Sequence, residues 1–253
     1  MVPLHFGSSE RPLFGVYLPP TATPRPLGVV ICPPLPQEAM RTTWTLRRLA
    51  LALAELGFHA LRFDWFGTGD SSGSLVEADL RQWRADLRAA VGELRDLSGG
   101  SSISVVGIGI GGSIALTTEL AARDLVLWDP VVRGAQHLKQ LLALHEATGA
   151  RARGRANAAL ELLGYEMGAA LMADIAAIDL LQPAQRVAHF KRVAVMSSAP
   201  SDEARALHAQ LGARELVALP ERAPARSAGE LLISLLAPES VKRVSSWFNG
   251  EAA

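Results

Sequence analysis

Short runs of Val, Ile and Leu alternate along the chain with longer stretches in which apolar residues recur at helical spacing. The first clear run, residues 27–32, stops at Pro33 and Pro34, which cannot continue a central strand, so it predicts a buried strand. Residues 42–56 carry apolar side chains at helical spacing and are followed by Gly57, which suits a helix C-terminal cap. This part of the chain is therefore predicted to be a strand followed by a helix.

The same order of elements recurs through the rest of the chain. Strands are predicted at residues 59–64, 103–106, 125–128, 193–197 and 215–219, and helices at residues 75–97, 113–123, 203–211 and 240–248. Strands that alternate with helices form βαβ units, in which the strands are parallel. We therefore expect an α/β fold with a mostly parallel, twisted sheet and flanking helices.

Residues 135–178 interrupt this alternation. They are rich in Ala and Leu, are mostly helical in pattern and contain no strong strand candidate. We interpret them as a helical cap, with approximate bounds 135–180, inserted into a single domain of residues 1–253. No internal repeat or low-complexity tail suggests a second domain.

Composition narrows the class of protein. A chain of 253 residues with 49% hydrophobic content can bury one large core, and its 25 basic residues balance 25 acidic ones, so we expect no nucleic-acid partner. The single cysteine, Cys32, excludes an internal disulfide, and residues 1–14 lack the pattern of a signal peptide. Apolar stretches end well before the ~20 residues that a membrane span needs. We expect a cytoplasmic protein without a membrane span.

The segment 105–115 carries the most informative motif. A strand enters the turn Gly-x-x-x-Gly and leaves as a helix, which is the context of a nucleophile elbow, where small residues permit a sharp turn. Gly107, Gly109 and Gly112 also satisfy the Gly-x-Gly-x-x-Gly spacing of a dinucleotide site. A dinucleotide site is disfavoured, however, because the motif lies more than a hundred residues into the chain. The one acidic residue that ends a strand at about the required distance is Asp129, and it lies in a Trp-Asp-Pro sequence. We therefore favour the elbow and expect no cofactor.

The chain resembles the α/β-hydrolase superfamily through this elbow and through residues 63–71, which are similar to that superfamily's loop after the fourth core strand. It resembles more narrowly the hydrolase-like proteins associated with exosortase systems, which are serine aminopeptidase-like. This narrower likeness rests on three short segments, which are residues 32–34 with Glu38, residues 62–64, and residues 127–132 with Gly134. The resemblance implies an α/β-hydrolase fold over nearly the whole chain and a catalytic triad in the order nucleophile, acid, histidine.

Two members of that triad are missing. The nucleophile position is Gly109, which has no side chain, and Ser113 lies one helical turn further on, where we expect it to be packed locally. The histidine should follow the last strand, but residues 220–226 contain none and no His occurs after His208. A serine at position 109 alone would not restore the triad.

The acid of the triad has two candidates. Asp129 ends a predicted strand, and Asp202 follows another. Each also has a structural alternative: Asp129 could stabilise the turn before Pro130, and Asp202 could be the N-cap of the helix at residues 203–211.

The remaining candidates belong at the carboxyl ends of the strands, where this fold places its pocket. We expect the backbone N–H groups of Leu35 and Ile110 to form an oxyanion hole, with Gly109 and Trp65 beside them. Glu38 lies next to that loop and is our candidate general base. Its structural alternative is an ion pair with either of two arginines, Arg41 or Arg48.

Other reactive residue types have simpler interpretations. Cys32, at a strand end beside two prolines, is interpreted as a small buried hydrophobe and not as a nucleophile. His137 and His145 lie in the predicted cap without a Cys, Asp or Glu at matched spacing, so we interpret them as cap surface and expect no metal.

Three functions remain open. The first is an enzyme that acts on a small acyl or ester-like molecule without a standard triad, and the second is a non-catalytic pseudoenzyme that binds an acyl ligand or a protein partner. The third is a serine hydrolase with relocated residues, in which Ser113 or Ser198 would serve. A small acyl-type ligand is the expected partner in the first case, and we allow for a homodimer.

Overall fold

The computed structural model describes residues 1–149, 160–186, 190–212, 216–221, 227, 230 and 235–250. Its strands are β1 (Val2–Ser8), β2 (Arg11–Leu18), β3 (Leu27–Cys32), β4 (His59–Phe63), β5 (Ser102–Ile108), β6 (Asp124–Trp128), β7 (Leu160–Leu162), β8 (Tyr165–Met167), β9 (Arg192–Ser197) and β10 (Leu216–Ala218). Its helices are α1 (Pro36–Glu55), α2 (Leu80–Leu97), α3 (Ile110–Leu116), α4 (Gly134–Ala147), α5 (Ala169–Ala176), α6 (Asp202–Leu211) and α7 (Pro238–Asn249), with a 3₁₀ turn at Pro183–Gln185.

Eight strands form one sheet in the order β1-β2-β4-β3-β5-β6-β9-β10. β1 pairs with β2, and β2 with β4, in antiparallel fashion, whereas all pairs from β4 to β10 are parallel. The predicted α/β architecture with a mostly parallel sheet is confirmed. The N-terminal hairpin of β1 and β2 was absent from the prediction.

The central strands are buried on both faces, as parallel strands between two helical layers are. In β3, Val30 and Cys32 pack into the cluster on the face of α2 and α3, whereas Val29 and Ile31 pack into the cluster on the opposite face, with α1 and α7. This arrangement explains why the run at residues 27–32 has no polar position.

Helix boundaries differ from the sequence prediction at their starts. Helix α1 begins at Pro36, six residues before the predicted start, because proline is tolerated in the first helical turn and the polar residues after it are buried by tertiary contacts. Helix α2 begins at Leu80, where the Asp79 side chain accepts a hydrogen bond from the N–H of Gln82 at 2.6 Å. Helix α3 is short and ends at Leu116.

The segment between β6 and β9, which we call the insertion, contains α4, the β7–β8 hairpin and α5. The expectation that it holds no strand was wrong: Leu160 pairs with Met167 in an antiparallel hairpin. Leu163 and Gly164, with φ of 52° and 86°, make the two-residue turn between the strands. A leucine in the left-handed region is unusual, so this turn has no strong sequence signal. Residues 150–159 of the predicted helical run lie outside the described residues.

Candidate active site

A cavity of about 210 Å³ lies at the carboxyl ends of β5, β6 and β9. The start of α1 forms one wall, the elbow between β5 and α3 forms the base, and the first two turns of α4 and the start of α6 close the other sides. Glu38, Gly109, Asp129 and His137 are among the residues that line it. The cavity is smaller than the ~300 Å³ lower limit typical of drug-sized ligand sites, so it suits a small molecule.

The elbow has the left-handed backbone that a nucleophile turn requires. Gly109 has φ 56° and ψ −124°, and its N–H donates to the carbonyl of Trp128 at 3.0 Å. A Cβ atom built on Gly109 would lie 3.1 Å from Oε2 of Glu38 and 3.2 Å from Cβ of Pro34. The carboxylate of Glu38 therefore borders the space that a side chain at position 109 would enter.

Glu38 lies in the first turn of α1 and is 9% exposed. Burial and, to a smaller extent, the negative charge of Asp129 raise the pKa of its carboxyl group, the positive charge of Arg41 lowers it, and the net result is a pKa of about 7. No ion pair joins Glu38 to Arg41 or Arg48 in the described part of the chain. At neutral pH this group is thus poised between its acidic and basic forms.

Asp129 follows β6 with φ 44°, a strained conformation for a residue other than glycine. Ser198 donates to it twice, from its N–H at 2.8 Å and from its hydroxyl at 2.7 Å, and the Ser197 hydroxyl donates at 3.1 Å. The N–H of Asp129 donates to the carbonyl of Met196 at 2.9 Å. The carboxylate is therefore held rigidly beside Glu38, which agrees with a site role and also with the turn-stabilising alternative.

Asp202 is not brought to the cavity. Its side chain is fully exposed and lies 3.4 Å from Nε of Arg205 on the same helix. The N-cap of α6 is Ser201, whose hydroxyl oxygen accepts from the N–H of Ala204, so the N-cap expectation for Asp202 was also wrong. The helix begins one residue earlier than predicted, and this shift turns Asp202 outward.

Trp65 and the two predicted oxyanion residues lie behind the wall of the cavity. Trp65 is buried in the core, stacks on Trp83 and donates from Nε1 to the carbonyl of Pro33 at 3.0 Å, so the expectation that it borders the pocket was wrong. Leu35 and Ile110 are fully buried and do not line the cavity. Their N–H groups have no acceptor in the described chain, and each follows a residue that lines the cavity.

The alternative nucleophiles are not activated. Ser113 is fully buried, and its hydroxyl donates to the carbonyl of Val131 at 2.7 Å. Ser198 lines the cavity, but its hydroxyl donates to Asp129. Cys32 is buried in the core, where desolvation raises the pKa of its thiol far above neutral pH and keeps it protonated.

His137 is the residue that the sequence interpretation missed. It is half-buried and lines the cavity from α4, whereas His145 is buried and its Nδ1 accepts from the N–H of Leu163 at 3.0 Å, so neither is plain cap surface. A signal was available in the sequence: Arg133, Gln136, His137 and Gln140 fall at the spacing of one helical face. All four line the cavity.

The described residues include neither a metal-binding cluster nor a membrane-spanning helix. No group of three or more His, Cys, Asp or Glu side chains is arranged to hold a metal ion. No described helix combines the length and hydropathy needed to cross a membrane.

Comparison with known proteins places these features in a family. The family model described as serine aminopeptidase, S33, matches residues 39–191. Among solved structures, Est1E from Butyrivibrio proteoclasticus, bound to ferulic acid, is 15% identical with a TM-score of 0.71, and the match covers 98% of each chain. Mouse alpha/beta hydrolase domain-containing protein 10 is 13% identical, with a TM-score of 0.60 and full coverage of both chains. No curated protein sequence matches this chain.

At these identities the solved structures establish the fold alone, whereas the family model covers more than half of the chain. The mostly parallel sheet with flanking helices agrees with the fold of these α/β-hydrolase structures. The chain therefore belongs to the serine aminopeptidase (S33) family of the α/β-hydrolase superfamily.

Proposed function

We propose that this protein hydrolyses a small ester or related acyl compound, with Glu38 as the general base and water as the nucleophile. The observation that carries the proposal is the position of the Glu38 carboxylate, 3.1 Å from where a Cβ at Gly109 would lie. A carboxyl group with a pKa of about 7 suits general acid–base catalysis at neutral pH, since it both accepts and returns a proton readily. Residues 135–180 would act as the cap of a single catalytic domain.

In the proposed reaction, ionised Glu38 accepts a proton from water as the water oxygen forms a bond to the substrate carbonyl carbon. The tetrahedral intermediate collapses with cleavage of the bond to the leaving oxygen, which takes the proton back from Glu38. The products are a carboxylic acid and an alcohol, and Glu38 regains its ionised state. No side-chain nucleophile is needed, which fits a glycine at position 109.

We assign the developing oxyanion to the N–H groups of Leu35 and Ile110, an assignment that requires the substrate carbonyl to reach past the cavity lining at Pro34 and Gly109. Both N–H groups are unpaired in the described chain, and the residues before them, Pro34 and Gly109, line the cavity on either side of Glu38. Buried, preorganised amides stabilise a negative oxygen more than a neutral carbonyl. Asp129 has a different role: its fixed charge keeps the pKa of Glu38 high enough for proton return to the leaving group.

The rate of p-nitrophenyl acetate hydrolysis should rise with pH through a single ionisation near pH 7, because only ionised Glu38 accepts the proton. Asp129→Asn should move the midpoint of this profile to lower pH, since it removes the negative charge that raises the pKa of Glu38. The measurement is kcat at saturating substrate between pH 5 and pH 9. A profile without a midpoint between pH 6 and pH 8, or one that Asp129→Asn leaves in place, would contradict the assignment of Glu38.

Fluorophosphonate probes should leave the protein unlabelled, because they react with a serine activated by an adjacent base. Ser113 is buried and Ser198 donates its hydroxyl proton to Asp129. Gel fluorescence and peptide mapping check this against a serine esterase labelled in parallel. Labelling at Ser113 or Ser198 would support a serine hydrolase with relocated residues, whereas absence of both labelling and turnover would favour the non-catalytic alternative.

A further inference from the structure

His137 is one of several polar residues of the cavity wall that have no role in the proposed reaction. His137 lies in the first turn of α4, on the side of the cavity opposite the start of α1, together with Gln136 and Gln140. The proposed base and nucleophile leave this side of the cavity free for the remainder of the substrate.

The Nε2 atom of the His137 imidazole lacks a hydrogen-bond partner in the described chain. This atom is also closed to solvent. A buried polar atom without a partner costs free energy and calls for an explanation. His145 and His208 also have an unpaired Nε2, but neither lines the cavity, so the combination of an unpaired nitrogen and a place in the wall distinguishes His137.

The ring is also uncharged under ordinary conditions. Burial lowers the pKa of His137 to about 4, so the imidazole at neutral pH carries one N–H donor and one acceptor nitrogen. Because Nε2 is closed to solvent as the ring now stands, a rotation about χ2 would be needed to turn it toward the cavity. A neutral imidazole of this kind suits a group that both donates and accepts hydrogen bonds, such as a hydroxyl.

We propose that His137 binds the substrate directly and determines its class, selecting acyl compounds that carry a hydroxyl group next to the carbonyl over those that carry hydrogen or an alkyl group there. This inference rests on the proposed function, which supplies the reacting acyl carbonyl, but the contact that it adds is between His137 and the neighbouring hydroxyl group. The cavity of about 210 Å³ accommodates a short 2-hydroxyacyl group between Glu38 and α4.

Binding of glycolamide and acetamide, which differ by one hydroxyl group and resist hydrolysis, tests the contact without turnover. NMR titration should show that the wild-type protein binds glycolamide more tightly than acetamide by roughly five- to tenfold, the effect of one neutral hydrogen bond. His137→Phe should abolish this preference, and His137→Gln, which keeps a donor and an acceptor, should retain part of it. The matched control His208→Phe removes an equally unpaired imidazole outside the cavity and should leave the preference intact.

Glu38→Gln separates this inference from the proposed function. If His137 binds the hydroxyl, the glycolamide preference should persist in Glu38→Gln whether or not that variant hydrolyses esters. Equal affinity of the wild-type protein for the two amides would overturn the inference. So would a preference that survives in a His137→Phe variant with an unchanged melting temperature. If His137→Phe does not fold, loss of the preference in a folded His137→Ala variant supports the assignment, and its retention overturns it.

Discussion

Glu38→Gln is expected to lower kcat for p-nitrophenyl acetate by roughly a hundredfold or more, the usual contribution of a positioned general base. The substitution keeps the shape of the side chain beside Gly109 but removes its ability to accept a proton. An effect confined to KM would mean that Glu38 contributes to substrate binding and not to the chemical step. Kinetics at pH 8, where wild-type Glu38 is mostly ionised, give the largest contrast.

The same variant should be more thermally stable than the wild type at pH 8. Because the pKa of Glu38 is about 7 in the folded protein and 4.5 as its ordinary value, the folded state binds this proton more tightly. The free energy of unfolding therefore falls as pH rises from about 4.5 through 7, and the cost of a buried charge is fully present above that range. Glutamine removes a cost on the order of 1–3 kcal/mol, part of which is offset by lost attraction to Arg41.

A matched control is available on α2. The pKa of Glu93 is also raised, by burial and by Asp96, but Glu93 lies outside the cavity, so Glu93→Gln should change neither kcat nor its pH dependence. Melting temperatures of both variants at pH 4 and pH 8 complete the comparison. A Glu38→Gln protein that keeps its activity and melts several degrees lower at pH 8 would make Glu38 a structural residue.

A large loss of stability is expected from Gly107→Ala, with a melting temperature roughly 10 °C below that of the wild type, or failure to fold. Gly107, near the end of β5, faces the first turn of α3, and a Cβ there would lie 2.4 Å from Cα of Gly112 and 2.5 Å from its nitrogen. Both contacts are with backbone atoms, so no rotamer change relieves them. The methyl group would push α3 away from the sheet and distort the elbow between them.

Gly92→Ala is the control for this substitution. Gly92 lies within α2, and a Cβ there would have no atom within 4 Å. Alanine should therefore stabilise the helix by about 0.5–1 kcal/mol. The melting temperatures of both variants can be measured by circular dichroism. Comparable melting temperatures for Gly107→Ala and Gly92→Ala would show that β5 and α3 are less closely packed than described.

The sheet was predictable because its central strands are short apolar runs, which in β3 and β5 are rich in Val and Ile and are followed directly by proline or glycine. The run at residues 27–32 matches β3 residue for residue, and residues 59–64 and 125–128 differ from β4 and β6 by one position. The hairpin of β1 and β2 escaped prediction because β1 is a mostly exposed edge strand and neither strand has the continuous apolar run of the buried central strands.

The site was only partly predictable. Topology alone brings Glu38, Gly109 and Asp129 to one cavity, because each follows or ends a parallel strand in the middle of the sheet. The position of His137 in the cavity wall depends on which face α4 turns toward the sheet, and the pattern of the strands does not specify this. The orientation of the Asp202 side chain depends on whether α6 begins at residue 202 or 203. A difference of one residue is too small for hydrophobic periodicity to resolve. The catalytic roles, and the narrower likeness to exosortase-associated proteins, stay predictions.

The charges in the described wall of the cavity also bear on product release. Glu38, Asp129 and Glu203 supply negative charge, and Arg133 is 3.7 Å from Glu203. A neutral ester meets no net repulsion there, but hydrolysis turns it into a carboxylate anion beside fixed carboxylates of like charge. The acid product is thereby repelled as it forms, so a reaction in this cavity should show little inhibition by its own acid.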